Sequence, residues 1–542
     1  MRAVAARGRY LRASFALAPL VVCACTEPVA SLGGLVETTG TSGGAEELAV
    51  LGTSPPRGVD VLVVVDNTVG MAQEQAALSL ALGDLIAGLA AVNDVRVSFT
   101  TTDGGNPACV GTTPEGGALS ILSCRERLAE FAAGDPVVDE SAVGCLDVCG
   151  LESVALLPTA DGLGAEPAVR PWIQSVAGVR NTEAELREAV ACATPQGLRG
   201  CEFEQPLEAM RSALLRSLVV GEAAEGFVRP DAALAVVILT NEVDCSYDPA
   251  RQEAFAAEGS QVFWTNPGEA APTSAACWNA GVACAGGDTE QWAECTATDK
   301  RLDGQASAVD AVLFPLWHYA DLFTQLAALK APYLADSPMG LYVIAGVPSG
   351  YQAGTTPLSF PKNPDPEFAV EYGVGAACGV GAERAVPAVR LRELAENYGD
   401  LLEGRVSSIC EPSYAAALDG LGAIGTPTLA PLCYPGCVAD LDPDIGGLQP
   451  DCLVQQEYGS PAGRVTATVP ACGGTPAAPE IPEGTDVCWY ARTDSAATTE
   501  PDADDLDTAC IAAERNLQVQ IVRAGGTLEL GGTSTLARCT PC

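Results

Sequence analysis

The sequence predicts an α/β protein: a doubly wound, mostly parallel sheet with disulfide-rich insertions, plus a small C-terminal cysteine-rich β module. Three observations predict it. Continuous apolar runs such as VDVLVVV (59–65) and ALAVVILT (233–240) read as strands buried on both faces. Segments with apolar residues at helical spacing alternate with those runs, which is the pattern of strands joined by crossover helices. Beyond residue 430 the pattern changes to short β-like stretches between Gly, Pro and Asp turns, with eight cysteines.

At the N-terminus, Arg2, Arg7, Arg9 and Arg12 precede a short apolar run, ASFALAPLVVCA (13–24). The run is too short to span a bilayer and fits the apolar core of an export signal. With VCAC ending at Cys25, it resembles a bacterial lipoprotein signal. That resemblance implies removal of residues 1–24, lipidation of Cys25 and a place in the cell envelope. The anchored protein would then sit on the outer membrane, facing the periplasm or the cell surface. An ordinary signal peptide cut nearby is the alternative. Residues 25–57 are rich in Gly, Ser, Thr, Glu and Pro and read as a flexible tether.

The α/β region is expected over 58–430. After the strand at 59–65, Leu78, Leu82, Leu85, Ile86 and Leu89 predict a helix. VRVSFTT (95–101) predicts a second strand, and QPLEAMRSALLRSL (205–218) a second helix. The strand at 233–240 follows, then a helix at 315–329, a strand at 341–347, and helices at 389–399 and 413–424. Insertions at 103–204 and 245–312 are rich in Gly and Pro and carry ten cysteines. Each follows the carboxyl end of a predicted strand, where open α/β sheets place their ligands. In the β module at 431–542, CLVQQEY, RVTATVP, DVCWYART and LQVQIVR are the expected strands.

Charge and rare residues exclude several functions. The net charge is −40 and lysines number three: Lys300, Lys330 and Lys362. A nucleic-acid partner, which wants a basic face, is therefore not expected. The one histidine, His318, lies in an apolar helical stretch and reads as packed. Of 22 cysteines, Cys23 would leave with the signal and Cys25 would carry lipid, which leaves an even set for disulfides. The rival reading is metal binding by Cys145 and Cys149, or by the CTPC spacing at Cys539–Cys542. No run beyond the signal is long and apolar enough to span a membrane.

The unit VDVLVVVDNTVGM (59–71) resembles the opening of a von Willebrand factor A-type domain, in which a buried strand runs into an Asp-x-Ser-x-Ser motif. LAVVILTNEVDCS (234–246) is similar to that family's later strand ending in Thr-Asp, and TTDGG (101–105) and GCEFEQPLEAM (200–210) fall where intervening loops are expected. In this order the pieces resemble cysteine-rich A-type lipoproteins of myxobacteria and related Gram-negative bacteria, over roughly residues 58–425. The resemblance implies a metal-ion-dependent adhesion site built from Asp66, Thr68 and Asn241, with Glu242 and Asp244 as helpers. Its ion would be Mg²⁺ or Ca²⁺, hard cations that take oxygen ligands. Its partner would be an unidentified protein or cell-surface ligand whose carboxylate completes the shell.

Two positions depart from the family pattern. Gly70 stands where the second serine is expected, and Asn241 where the aspartate is expected. Thr194 is a poor counterpart of the family's middle-loop threonine. The alternative for Asp66 and Thr68 is a helix cap, with Asn67–Gly70 forming the turn. Three functions follow. The first is an exported, lipid-anchored binding or adhesion protein that uses a degenerate metal site and is not an enzyme. The second is a structural envelope protein with a metal-free A-type scaffold. The third is a secreted hydrolase using acid pairs such as Glu202/Glu204 or Glu242/Asp244.

Overall fold

The computed structural model of the chain describes residues 48–542, except Arg57, Val92, 160–166, Ala177, 335–337, 352–355, 363–364, 381–382, 426–429, Pro443, 445–447, 461–462, Pro476, 494–505 and 525–529. The signal segment 1–24, Cys25 and residues 26–47 of the expected tether lie outside the described residues.

The elements follow the apolar pattern closely. β1 (Ala49–Thr53) precedes β2 (Gly58–Val65), which leads through α1 (Ala72–Ala90) to β3 (Asp94–Thr101). β4 (Ile173–Val176), β5 (Val179–Arg180) and α2 (Leu186–Ala193) belong to the first insertion, and α3 (Pro206–Arg216) follows it. Then come β6 (Ala233–Leu239), α4 (Leu316–Lys330), β7 (Met339–Ala345), α5 (Val389–Asn397), β8 (Glu403–Ser408) and α6 (Ala415–Gly425).

These strands make one seven-stranded sheet in the order β8-β7-β6-β2-β3-β4-β5. The five strands from β8 to β3 are parallel, and β4 and β5 add antiparallel at one edge. Every residue of β2 is buried, because helices cover both faces. Leu62 and Val64 face one core, with Leu207 and Leu214 of α3 and Phe323 of α4. Val61, Val63 and Val65 face the other, with Leu78 and Leu82 of α1 and Leu418 of α6. The alternation is the two-residue period of a strand.

The second insertion is more than a decoration. Phe255, Phe263, Trp264 and Trp278 are buried in the α3 and α4 core.

In the tail, β9 (Cys452–Ser460), β10 (Gly463–Val469) and β13 (Ser534–Cys539) are strands, and β11 (Val487–Arg492) pairs with β12 (Gln518–Arg523). The end of the expected tether is corrected here. β1 lies within it and pairs antiparallel with β13, Ala49 opposite Ala537 and Thr53 opposite Ser534. The resulting sheet runs β1-β13-β9-β10. The backbone at Gly459 of β9 lies against the loop after α4, where an added Cβ would fall 2.3 Å from the Pro332 carbonyl oxygen.

Twenty cysteines pair within the clusters seen in the sequence. The first insertion holds Cys109–Cys201, Cys124–Cys145 and Cys149–Cys192. The second holds Cys245–Cys277 and Cys284–Cys295. Cys378–Cys410 follows, and the tail contains Cys433–Cys510, Cys437–Cys542, Cys452–Cys539 and Cys472–Cys488. The metal reading of Cys145 and Cys149 therefore fails, and Cys539 and Cys542 bond other partners than each other. Such a density of disulfides is the chemistry of an oxidising compartment. No helix among the described residues is long and apolar enough to cross a membrane.

Candidate functional site

The chain leaves β2 on one side and returns on the other. α1 carries it to β3, and the route through α3 brings it back to β6, which is β2's other neighbour. The gap beyond the carboxyl ends of β2 and β6 is thus a topological switch point, the place where open α/β sheets hold ligands. Asp66 follows β2 there, and Thr240 and Asn241 follow β6.

Asp66 is fully buried and its two oxygens are occupied. Oδ1 accepts from the Thr68 amide at 2.9 Å and the Thr68 hydroxyl at 2.6 Å. Oδ2 accepts from the Thr240 hydroxyl at 2.9 Å and the Asn241 amide at 3.4 Å. The Thr240 hydroxyl also lies 2.7 Å from Glu204 Oε2, so one hydroxyl proton serves two carboxylates. Glu204 Oε1 accepts from Thr102 at 3.0 Å. Glu242 donates its amide to the Thr240 oxygen at 3.1 Å and accepts from the Ser274 hydroxyl at 3.1 Å. Ser274 also lies 2.8 Å from the Glu202 carbonyl.

Both insertions close over this edge. The Gly200 amide donates to the Asn67 carbonyl at 2.7 Å, and a Cβ at Gly200 would fall 2.1 Å from Asn67 Oδ1. A side chain at this position would require Asn67 to shift. Gln75, on the buried stripe of α1, clasps the same loop. Its amide nitrogen donates to the carbonyls of Asp66 (2.7 Å) and Gly197 (2.9 Å), and its oxygen accepts from the Gln196 amide at 2.8 Å. From the second insertion, the Cys245 amide reaches the Glu204 carbonyl at 2.6 Å.

Three acids so enclosed cannot all be charged. Burial, and then the charge of Asp66, push Glu204 well above the usual carboxylate range. Burial and then the charge of Glu202 do the same to Glu242. Glu202, at the solvent rim, is pushed up to about 7, first by loss of water and then by Asp66 and Glu371. The edge therefore holds protons where a simple count of acids would place negative charges.

The expected site residues divide. Asp66, Thr68 and the backbone of Asn241 come together, and Glu242 lies beside them through Thr240. Asp244 does not. It pairs with Arg390 of α5 at 2.9 Å and accepts from Ser246 at 2.5 Å. Leaving β6, it turns into the opposite core, so nearness in sequence to Asn241 gives no nearness in direction. The Asn241 side chain also turns away. It lines a cavity with Gln73, Arg384, Glu411 and Tyr414, and its Oδ1 is buried without a hydrogen bond. Thr194 bonds back to the Val190 carbonyl at 2.8 Å inside α2.

The helix-cap alternative fails as well. The N-cap of α1 is Met71, with no side-chain capping bond. Asp66 binds the amide of Thr68 instead, a local turn. Gly70 adopts φ 94°, a conformation that disfavours serine, which accounts for the absent hydroxyl. His318 is stacked on Phe314 at 4.4 Å, with Nε2 3.7 Å from Glu208.

Mg²⁺ or Ca²⁺ would need several oxygens open to one point. Here Asp66 and Thr68 satisfy one another, Gly70 offers nothing and Asn241 faces elsewhere. No three His, Cys, Asp or Glu among the described residues are placed to hold a metal ion. As arranged, these residues do not fit that cation.

Sequence reading missed Thr102, Ser274 and Gln75. Gln75 left a signal, a lone amide in the apolar stripe that continues at Leu78 and Leu82.

No family model and no curated protein matches the chain. Among solved structures, the pilus adhesin SpaC from Lactobacillus rhamnosus GG in its open conformation is similar at 10% identity and a TM-score of 0.26. The match covers 89% of this chain and 38% of that one. An overlap that loose identifies neither fold family nor function.

Proposed function

We propose that this chain is an exported binding protein of the cell envelope, lipid-anchored through Cys25, with an A-type domain that presents the switch-point edge to a partner. It binds and does not transform. The observation that carries the reading is the closure of two disulfide-stapled insertions over Asp66, Glu204 and Glu242, with Glu202 and Glu371 at the rim. A scaffold with only a structural role has no need to collect acids at the ligand edge, where their mutual repulsion and burial are costly. In this reading the edge works without a divalent cation, and Glu371 with the charged fraction of Glu202 attracts a cationic partner.

The test is retention of the labelled full chain on intact bacterial cells, wild type against Glu202→Lys with Glu371→Lys. Both residues are exposed, so the variant is expected to fold. Retention is expected to fall at least about tenfold, as for loss of a rim charge pair on each side. Equal retention would leave the structural-scaffold reading in its place.

Acid–base hydrolysis keeps one observation in its favour, a rim carboxyl pushed up to about 7 beside a second acid, Glu242. Turnover of chromogenic glycosides that disappears in Glu202→Gln would establish it.

A further inference from the structure

The first insertion carries an exposed aliphatic face beside the acidic edge. A short hairpin pairs Ala132 with Asp139 and Ala133 with Val138. At its tip Val137 is 69% exposed and Val138 56%. The helical turn Ala142–Leu146 follows and exposes Val143 and Leu146. Val69, after β2, completes the face, since its Cγ1 lies 3.6 Å from the Cβ position at Gly134. The Val69 amide donates to Glu202, so the face is continuous with the rim of the candidate site.

Four branched aliphatics exposed between residues 137 and 146, with Val69 beside their hairpin, exceed the scattered single exposures of an ordinary soluble surface and mark an interaction site. This one is held firmly: Cys124–Cys145 staples the turn, and Gly144 packs on Phe131 and Ala72. A rigid apolar patch is preorganised for docking.

Charge selects the occupant. From residue 128 to residue 169 the sequence holds acids from Glu130 to Glu166 and not one lysine or arginine. Asp135, Asp139 and Asp147, close in sequence to these aliphatics, are exposed. Hydrogen bonds from Ser141 hold Asp139 below the ordinary carboxylate range, so it is charged at neutral pH. Arg199, from outside that stretch, is engaged with the Ala132 carbonyl. A second copy would bring the same acidic rim against this one, and an anionic membrane would be repelled likewise.

We propose that this face docks a polypeptide segment with alternating basic and aliphatic side chains. The aliphatics seat on Val137, Val138, Val143 and Leu146, and the basic groups pair with Asp139 and Asp147. The inference deepens the binding function proposed above by naming the partner's chemistry.

The test uses the full chain and two synthetic twelve-residue peptides, (Lys-Val)6 and (Lys-Ser)6, in 150 mM salt. Wild type is expected to bind (Lys-Val)6 at least about tenfold more tightly than (Lys-Ser)6, because only the former buries apolar surface. That difference is expected to vanish in Val137→Ser with Val138→Ser and to persist in Val309→Ser, a control in the other insertion. Asp147→Lys is expected to weaken both peptides. Equal binding of the two peptides by wild type would mean general attraction to an acidic protein and overturn the proposal, as would unchanged discrimination in the double variant. Dimerisation in sedimentation that the double variant abolishes would assign the face to a second copy and overturn it too. Cell retention lost in the Glu202/Glu371 variant but kept in Val137→Ser with Val138→Ser would remove this inference and leave the broader function standing.

Discussion

Asp66 is a buried carboxylate held in place by donors of the protein itself. Its oxygens receive bonds from Thr68, Thr240 and the Asn241 amide. Asp66→Ala would leave buried donors unsatisfied and is expected to cost about 2–4 kcal/mol in denaturant unfolding. Glu204→Gln should behave differently, since a neutral amide resembles the protonated acid; a change under about 1 kcal/mol at pH 7 is expected. The pH dependence has a definite sign. Above pH 4.5 the unfolded chain releases the protons of Glu202, Glu204 and Glu242, while the folded chain keeps them. More protons are bound in the folded state, so stability falls as pH rises from about 4.5 to about 7 and beyond. A melting temperature that rises over that range would contradict the assignment. Asp66 and Thr68 were legible in the sequence because a polar break in a buried strand stands out. Glu204's partnership was not, because only the crossover through α3 brings residue 204 beside residue 66.

Among the elements, the strands buried on both faces were the most legible from pattern. β2 and β6 have no exposed residue, and their apolar runs say so. β8 escaped, since EGRVSS is an edge strand with exposed Glu403 and Arg405 and a burial pattern of its own. β1 escaped because its five residues sit in a Gly- and Ser-rich context, and its partner β13 lies some 480 residues away, with Thr53 bonding Ser534 across 481 positions. Deleting residues 48–53 should expose the β13 edge and lower the melting temperature, with aggregation as the accompanying sign. The loop of Glu202 and Glu204 depends on Cys109–Cys201. Replacing both cysteines by serine is expected to cost about 2–4 kcal/mol and to weaken cell retention. The buried Asp244–Arg390 pair ties the β6 exit to α5, and Arg390→Ala should cost about 3–5 kcal/mol by leaving a charge alone.

The whole molecule joins a parallel sheet to an acidic, disulfide-stapled crown and a tail closed by β1. The insertions had marked themselves in the sequence by position and cysteine content. Their convergence on one edge followed from the rule that parallel strands end together; their docking face did not, because nothing in a local pattern tells an exposed valine from a buried one. The proposal that this edge works through protonated and rim carboxyls, without a divalent cation, is tested most directly by calorimetric titration of the full chain with Mg²⁺ at pH 7. The expected result is no saturable heat below about 1 mM, in wild type and in Asp66→Asn alike. A micromolar dissociation constant in wild type that disappears in Asp66→Asn would contradict it.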